Sequence, residues 1–324
     1  MNKMVKLIDN IKRDKTLGRE DARKILNLEK ERFAHLLFAA SEIRRHFKGN
    51  SVTTCAIVNA KNGLCSEDCA FCAQSAHNKT GLGVYPLMSD KEMLERAEKE
   101  EAHSRRFGIV TAGKGLNSDE LETVKHVVGG FYEKKLVQKP CASLGILTEN
   151  DFASLGKRGL TRYHHNIETS KNFYPQICTT HSYDDRVETI RAAQKAGLET
   201  CVGGILGMGE SKEDRLDFLY EIRGLSPDSV PINFLVPISG TPLEKSPRIS
   251  LWEAVKIIAL ARFIMPEKDI KLGAGRLEIF KDAQHLVFLA GANGMIVGDL
   301  LTIKGRSPDD DLKLIDDLGL ELQA

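Results

Sequence analysis

Three thiols carry the most chemistry in this sequence: Cys65, Cys69 and Cys72, in the run Cys65-Ser-Glu-Asp-Cys69-Ala-Phe71-Cys72. At C-x3-C-x2-C spacing they do not pair easily as disulfides, and their thiolates are soft anionic ligands suited to iron–sulfur or zinc chemistry. A closed structural zinc site takes four protein ligands, and an ordinary ferredoxin cluster takes four cysteines. The local group stops at three. That leaves one iron of a four-iron cluster open to a substrate or cofactor. His77, five residues beyond Cys72, offers the other completion, a Cys3His zinc site. Chance is a poor account of three of seven cysteines falling within eight positions.

The elements that must position this loop read as alternating strands and helices. Strands are expected at 52–58, 107–111, 135–143, 162–167, 199–203, 229–235, 270–273 and 293–297. Helical patterns fall between them at 91–104, 119–134, 149–157, 183–196, 212–223, 251–263 and 276–289. Eight strands alternating with helices predict a parallel sheet closed into a (β/α)8 TIM barrel, residues 49–324 with a C-terminal tail. Residues 1–48 read as an N-terminal helical cap. Functional groups of such barrels gather at the C-terminal ends of the strands. The cysteine loop leaves the first strand at that end.

The remaining thiols are Cys55, Cys141, Cys178 and Cys201. Cys55, Cys141 and Cys201 fall on the first, third and fifth strands, and Lys271 falls on the seventh. Barrel interiors are filled in layers drawn from alternate strands, so these four side chains could share one inward-facing layer. A buried cysteine alone is often a small hydrophobe. A buried lysine needs an anion, and a second cluster held by three thiolates would supply one. Cys178 lies in the loop after the fourth strand and reads as structural.

Composition bounds the partners. The chain has 324 residues, a net charge of +1 and 28% charged residues, which gives no electrostatic case for nucleic acid or an anionic membrane. The N-terminal run Met1-Asn-Lys-Met-Val-Lys lacks the apolar core of a signal peptide. The apolar stretch 251–265 is interrupted by Lys256 and Arg262, so no membrane span is expected. An odd number of cysteines without disulfide-scaffold spacing suits a reducing cytoplasm.

The motif C-x3-C-x-aromatic-C, with Phe71 as the aromatic, resembles the signature of the radical S-adenosylmethionine superfamily. That resemblance implies a 4Fe–4S cluster on Cys65, Cys69 and Cys72 whose fourth iron chelates the methionine moiety of S-adenosylmethionine. A longer series, from about Thr53 to Gly298, is similar to the biotin synthases: Ala73-Gln-Ser, Lys79-Thr-Gly, Tyr163-His-His-Asn-Ile-Glu-Thr-Ser170, Cys201-Val-Gly-Gly-Ile-Leu-Gly-Met-Gly-Glu210, Ser229-Val-Pro-Ile-Asn-Phe-Leu235, Gly240-Thr-Pro-Leu243, Ala274-Gly-Arg276 and Ala290-Gly-Ala-Asn293. The implied reaction is sulfur insertion into dethiobiotin to give biotin. A 5′-deoxyadenosyl radical removes hydrogen, and an auxiliary cluster supplies the sulfur.

The resemblance also implies site roles. Asn166 and Glu168 match the Asn and Asp that bind the adenosyl ribose and organise dethiobiotin. Asn233 matches the asparagine that holds the ureido ring. Arg186 matches the partner of the methionine carboxylate, while Gly203, Gly204, Ile205 and Gly207 match the segment lining adenine. His165 matches a family histidine and His164 replaces an asparagine, and neither is assigned a role. The family's auxiliary 2Fe–2S cluster is held by three cysteines and an arginine. Here Cys141 and Cys201 match, Gly108 replaces the third cysteine, Lys271 replaces the arginine, and Cys55 stands where serine is usual. The expectation is therefore an altered auxiliary cluster on Cys55, Cys141 and Cys201. A four-iron form with an extra sulfide, stabilised by Lys271, is favoured over a 2Fe–2S form.

By resemblance alone, a homodimer and an electron donor such as flavodoxin or ferredoxin are expected. The runner-up is another radical enzyme with a similar barrel, of methylornithine synthase or hydrogenase-maturation type. A cluster- or zinc-binding electron carrier is the non-catalytic alternative. Lipoyl synthases resemble a pattern with an additional N-terminal cysteine triplet, which is absent before Cys55.

Overall fold

The structure, a computed structural model, describes residues 2–100 and 104–323. The strands are β1 (Ser51–Lys61), β2 (Arg106–Thr111), β3 (Lys139–Ser143), β4 (Arg162–His164), β5 (Glu199–Cys201), β6 (Gly204–Leu206), β7 (Ser229–Phe234), β8 (Asp269–Leu272), β9 (Gly294–Ile296) and β10 (Glu321–Leu322). Each pairs parallel with its neighbour, and β9 pairs back onto β1, so the sheet closes. The fifth barrel strand is made of two pieces: β5 meets β4 and β7, and β6 continues along β7. Counted that way, the barrel has the expected eight strands.

The helices are α1 (Asn2–Asp14), α2 (Arg19–Leu26), α3 (Phe33–Lys48), α4 (Asp90–Glu100), α5 (Ser118–Glu133), α6 (Glu149–Lys157), α7 (Tyr183–Lys195), α8 (Lys212–Leu225), α9 (Leu251–Ile264), α10 (Arg276–Phe280), α11 (Leu286–Leu289) and α12 (Pro308–Asp317). Helices α5 to α9 each start on a capping box: Asn117 with Glu120, Thr148 with Asp151, Ser182 with Asp185, Ser211 with Asp214 and Ser250 with Glu253. Such caps are worth about 1 kcal/mol each, and they fix where the loop from each strand ends. The apolar faces of the helices pack on the outside of the barrel. Helices α1 to α3 share one core with α8 and α9. Among the described residues, no helix is long and apolar enough to cross a membrane.

The structure corrects several expected boundaries. The third strand begins at Lys139, because Lys135 closes the preceding helix with a positive φ of 55°. The fourth strand ends at His164, so Asn166 and Glu168 stand on the loop beyond it. The fifth breaks after Cys201. The expected helix over 276–289 breaks at Lys281, whose φ is 45°. Part of the expected helix 91–104 lies outside the described residues, at 101–103. The tail carries α12 and β10, and β10 adds to β1 in parallel.

Candidate active site

One cavity of about 390 Å³ opens along the barrel axis. It is lined by Cys65, Cys69 and Cys72 at its mouth and by Cys55, Cys141, Cys201 and Lys271 deeper inside. All are free thiols or amines, with no disulfide among them.

The mouth loop is shaped by its own backbone. Cys72 N donates to Cys69 O at 3.0 Å, Cys65 N to Gln74 O at 2.9 Å and Ala76 N to Cys65 O at 2.8 Å. Asn78 Nδ2 donates to Cys72 O at 2.8 Å and Thr80 Oγ1 to Ala73 O at 2.7 Å, which closes the turn. Lys79 N then reaches Gly240 O at 3.1 Å, so the Gly240 turn, in the loop after β7, clamps the cysteine loop. Phe71 packs with Ile205 and Leu243 beside the apolar group Phe173, Ile177, Met208 and Leu235. Burial pushes the Cys72 thiol up to about 11, so a metal binding there would displace its proton. His77 is exposed and turns its Nε2 to Ser66 O at 3.0 Å, away from the alternative Cys3His arrangement. Three thiols facing one cavity, with no fourth cysteine or histidine from this loop joining them, fit a four-iron cluster with one open iron.

Beside the loop, Arg186 is held in place by three contacts. Its Nε donates to Tyr174 Oη at 2.7 Å, its Nη1 donates to Asn166 O at 3.0 Å, and Nη1 stands 3.5 Å from Glu168 Oε1. Burial works against its charge, but the Glu168 carboxylate and the Tyr174 ring raise its pKa above the ordinary value. Asn166 Nδ2 donates to Glu168 Oε2 at 3.3 Å, and Asn166 Oδ1 accepts from Gly203 N at 3.1 Å. Asn233 Oδ1 accepts from Ala274 N at 2.9 Å and its Nδ2 donates to Gly204 O at 3.2 Å. One N–H and one lone pair of that amide stay free for a ligand.

In the segment matched to adenine, Gly203 and Gly204 are packed tightly against the protein's own backbone. A Cβ on Gly203 would sit 1.8 Å from Pro231 O, and one on Gly204 would sit 2.2 Å from Glu168 O. Their missing side chains are therefore used by the protein's own backbone, where Glu168 bridges to Gly204 with a φ of 65°. Of the four residues expected there, Ile205 lines the cavity, while Gly203, Gly204 and Gly207 do not.

Deeper in, the predicted layer forms. Lys271 is 1% exposed, and its Nζ lies 2.9 Å from Cys55 Sγ. Strand register puts Cys141 opposite Gly108 and Arg162, and puts Cys201 opposite His164. Burial, reinforced by the neighbouring Cys55 thiol, raises the Cys141 pKa.

Two residues that sequence reasoning missed complete this layer, Arg106 and Arg162. Both are buried, both line the cavity, and both pair with Glu199 at 2.8 Å. Arg106 Nη1 lies 3.9 Å from Cys141 Sγ. Arg162 Nη1 is buried with no hydrogen-bond partner. A signal for them was present, since period-2 alternation puts Arg106 on the face of Gly108 and Arg162 on the face of His164. Three thiols, three cations and an orphaned guanidinium N–H fit an anionic sulfide-bearing group. Gly108 and Cys55 sit on the adjacent, paired strands β2 and β1. His164 also faces the cavity, and burial lowers its pKa to about 4, which leaves it neutral near pH 7.

Residues 62–222 match the Radical SAM superfamily, and residues 231–321 match the Biotin and Thiamin Synthesis associated domain. The chain is 44% identical over 317 residues to the biotin synthase of Pelotomaculum thermopropionicum, covering 98% of both chains. It is 46% identical over 307 residues to that of Heliobacterium modesticaldum, covering 94% of both. The chain belongs to the biotin synthase family. Among solved structures, a methylornithine synthase superposes with a TM-score of 0.85 at 22% identity, covering 98% of this chain and 97% of that one. An FeFe-hydrogenase maturase from Carboxydothermus hydrogenoformans superposes at 0.82 and 18% identity, covering 98% of this chain and 79% of that one. These likenesses, the two runner-up types, carry the fold alone. The biotin synthases share the sequence as well.

Proposed function

We propose that the chain makes biotin from dethiobiotin by S-adenosylmethionine-dependent sulfur insertion, with the sulfur drawn from an auxiliary cluster inside the barrel. The single observation that carries this reading is the pairing, in one cavity, of the mouth thiols with the inner thiol–cation layer. Cys65, Cys69 and Cys72 would hold a 4Fe–4S cluster, and Cys55, Cys141 and Cys201 an auxiliary one, favoured as a four-iron form with an extra sulfide over a 2Fe–2S form. When bound, these groups supply the electron that cleaves S-adenosylmethionine and the sulfur that enters the product.

The protein's own part is positioning. Arg186, already aligned by Tyr174 and Asn166, presents its remaining guanidinium face to the methionine carboxylate. Asn166 and Glu168 are placed for the ribose hydroxyls and the near edge of dethiobiotin. Asn233 offers its free N–H and lone pair to the urea. Lys271, Arg106 and Arg162 offset the negative charge of the sulfide-bearing group, and the apolar wall of Phe71, Ile205 and Leu235 excludes water from the path between the two thiol groups. The resemblance further supports a cytoplasmic homodimer, residues 1–48 as its helical cap, and flavodoxin or ferredoxin as electron donor.

The test is anaerobic incubation of the reconstituted chain with S-adenosylmethionine, a low-potential reductant and dethiobiotin. Biotin with 5′-deoxyadenosine is the expected product pair. 5′-Deoxyadenosine without biotin would move the chain to a different substrate.

A further inference from the structure

The cysteine loop is fastened to a second loop, 177–181, that the reaction described above does not use. Ala70 N donates to Ile177 O at 2.9 Å. The Asp68 carboxylate accepts from Thr179 N at 2.9 Å, from Thr180 Oγ1 at 3.1 Å and from Cys178 Sγ at 3.2 Å. This latch draws Cys178 and His181 onto Cys69. The ligand atoms of Cys69, Cys178 and His181 lie within 4.8 Å of one another, and all three residues are buried. Cys178 Sγ is 3.2 Å from His181 Nδ1 and 3.9 Å from Nε2.

A second observation bears on what this trio is for. His181 is paired at 2.5 Å with the carboxylate of Glu67, and both side chains are almost sealed, at 5% and 7% exposure. Glu67 takes Nδ1, which leaves Nε2, 3.9 Å from Cys178 Sγ, as the nitrogen for a metal. Metal-binding histidines characteristically keep such a carboxylate on their other ring nitrogen, which orients the ring and raises its basicity. Two thiols and an oriented imidazole in a buried setting are a donor set for a soft or borderline divalent ion. The first cysteine of the set also belongs to the four-iron triplet.

We propose that the cluster-free chain binds one zinc or ferrous ion at Cys69, Cys178 and His181, and that this site and the four-iron cluster exclude each other because both need Cys69. Binding converts two thiols to thiolates and releases two protons to solvent, with no change of oxidation state. Zinc held here keeps Cys69 from the cluster. Ferrous iron held here is placed beside the loop that needs it. The exclusion rests on the reading of Cys65, Cys69 and Cys72 as the cluster ligands, whereas the metal site itself does not.

The decisive protein is the cluster-free Cys65→Ser/Cys72→Ser double variant, titrated anaerobically with Co²⁺ alone. It should bind one cobalt per chain, with thiolate-to-cobalt charge transfer and tetrahedral d–d bands, and Zn²⁺ should displace the cobalt. Adding Cys178→Ser or His181→Gln should weaken binding by at least about tenfold. Equal cobalt binding with and without those substitutions, or no binding by the double variant, would overturn the proposal. Far-UV circular dichroism identifies a variant that fails to fold, in which case the other variant decides. In the wild-type sequence, one equivalent of Zn²⁺ added before reconstitution should lower four-iron incorporation, and incorporation unaffected by zinc would refute the exclusion. No dethiobiotin enters any of these measurements, so their failure leaves the proposed reaction standing, and failure of that reaction leaves the metal site standing.

Discussion

Cys65, Cys69 and Cys72 come from one loop whose turn is closed by its own backbone hydrogen bonds, with Ala70 N to Ile177 O and Lys79 N to Gly240 O tying it to two other loops. Cys55, Cys141 and Cys201 come from three separate barrel strands and meet only because the sheet closes with the right register. The mouth group lies under a loop clamped by Gly240 and has Arg186 beside it. The inner group lies in a ring of fixed cations, two of them tied to Glu199. The contrast is between a site encoded by spacing and a site encoded by fold. The first can be changed one residue at a time, and the second depends on every strand that sets its register.

That difference can be tested by separating the two groups. Replacing Cys65 with Ala should abolish S-adenosylmethionine cleavage and biotin formation together, measured as 5′-deoxyadenosine and biotin. Cys141→Ala should abolish biotin while 5′-deoxyadenosine still forms. If both variants lost both products alike, the two groups would not be distinct.

A smaller effect separates two kinds of buried arginine. Arg162 lines the cavity and has a buried Nη1 without a hydrogen-bond partner, whereas Arg262 donates to Gly291 O, Pro266 O, Lys268 O and Asn293 Oδ1 at 2.6 to 2.8 Å. Arg162→Gln should lower biotin formation by about 10- to 100-fold with little loss of fold stability. Arg262→Leu should lower unfolding stability by about 3 kcal/mol or more, because several buried carbonyls lose their donor. Denaturant unfolding beside a turnover assay reads both.

The inner layer was legible only in part, and the reason is physical. Lys271 stood out because a cation on a buried strand needs an anion, and the structure puts it on Cys55. Arg106 and Arg162 did not stand out, since arginines near strand ends usually reach solvent, and Glu199 as their shared partner is visible only after the strands pair. The mouth triplet was legible at once because its geometry is local. That Gly203 and Gly204 also press on the chain's own backbone was not legible. Their close approach is to Pro231 and Glu168. The eight-strand barrel followed from alternation, yet the break between β5 and β6 did not, because it depends on those same backbone contacts.

The smallest effect concerns the floor beneath the inner layer. Asp269, on the strand that carries Lys271, pairs with Lys48 of the N-terminal helices at 2.7 Å. Burial opposes its charge, but Lys48 and Asn293 hold its carboxyl down at about 2, below the usual 3.8. A depressed carboxyl contributes stability that is present above the ordinary range and lost as pH falls through the folded value. Asp269→Asn should therefore cost about 2 kcal/mol near neutral pH, and the difference from the wild-type sequence should shrink between about pH 4 and pH 2. Unfolding curves over that window check the sign, and a gap that widened on acidification would refute it.

The most direct measurement is iron and acid-labile sulfide content with Mössbauer spectra, on the anaerobically reconstituted chain and on Cys55→Ala, followed by one turnover with dethiobiotin. The account predicts two four-iron clusters in the wild-type sequence, sulfide in excess of iron, and biotin formed at the expense of that excess. It predicts loss of the auxiliary cluster alone in Cys55→Ala. A full auxiliary cluster in Cys55→Ala, or a single four-iron cluster and no biotin in the wild-type sequence, would contradict it and leave the inner thiols as packing.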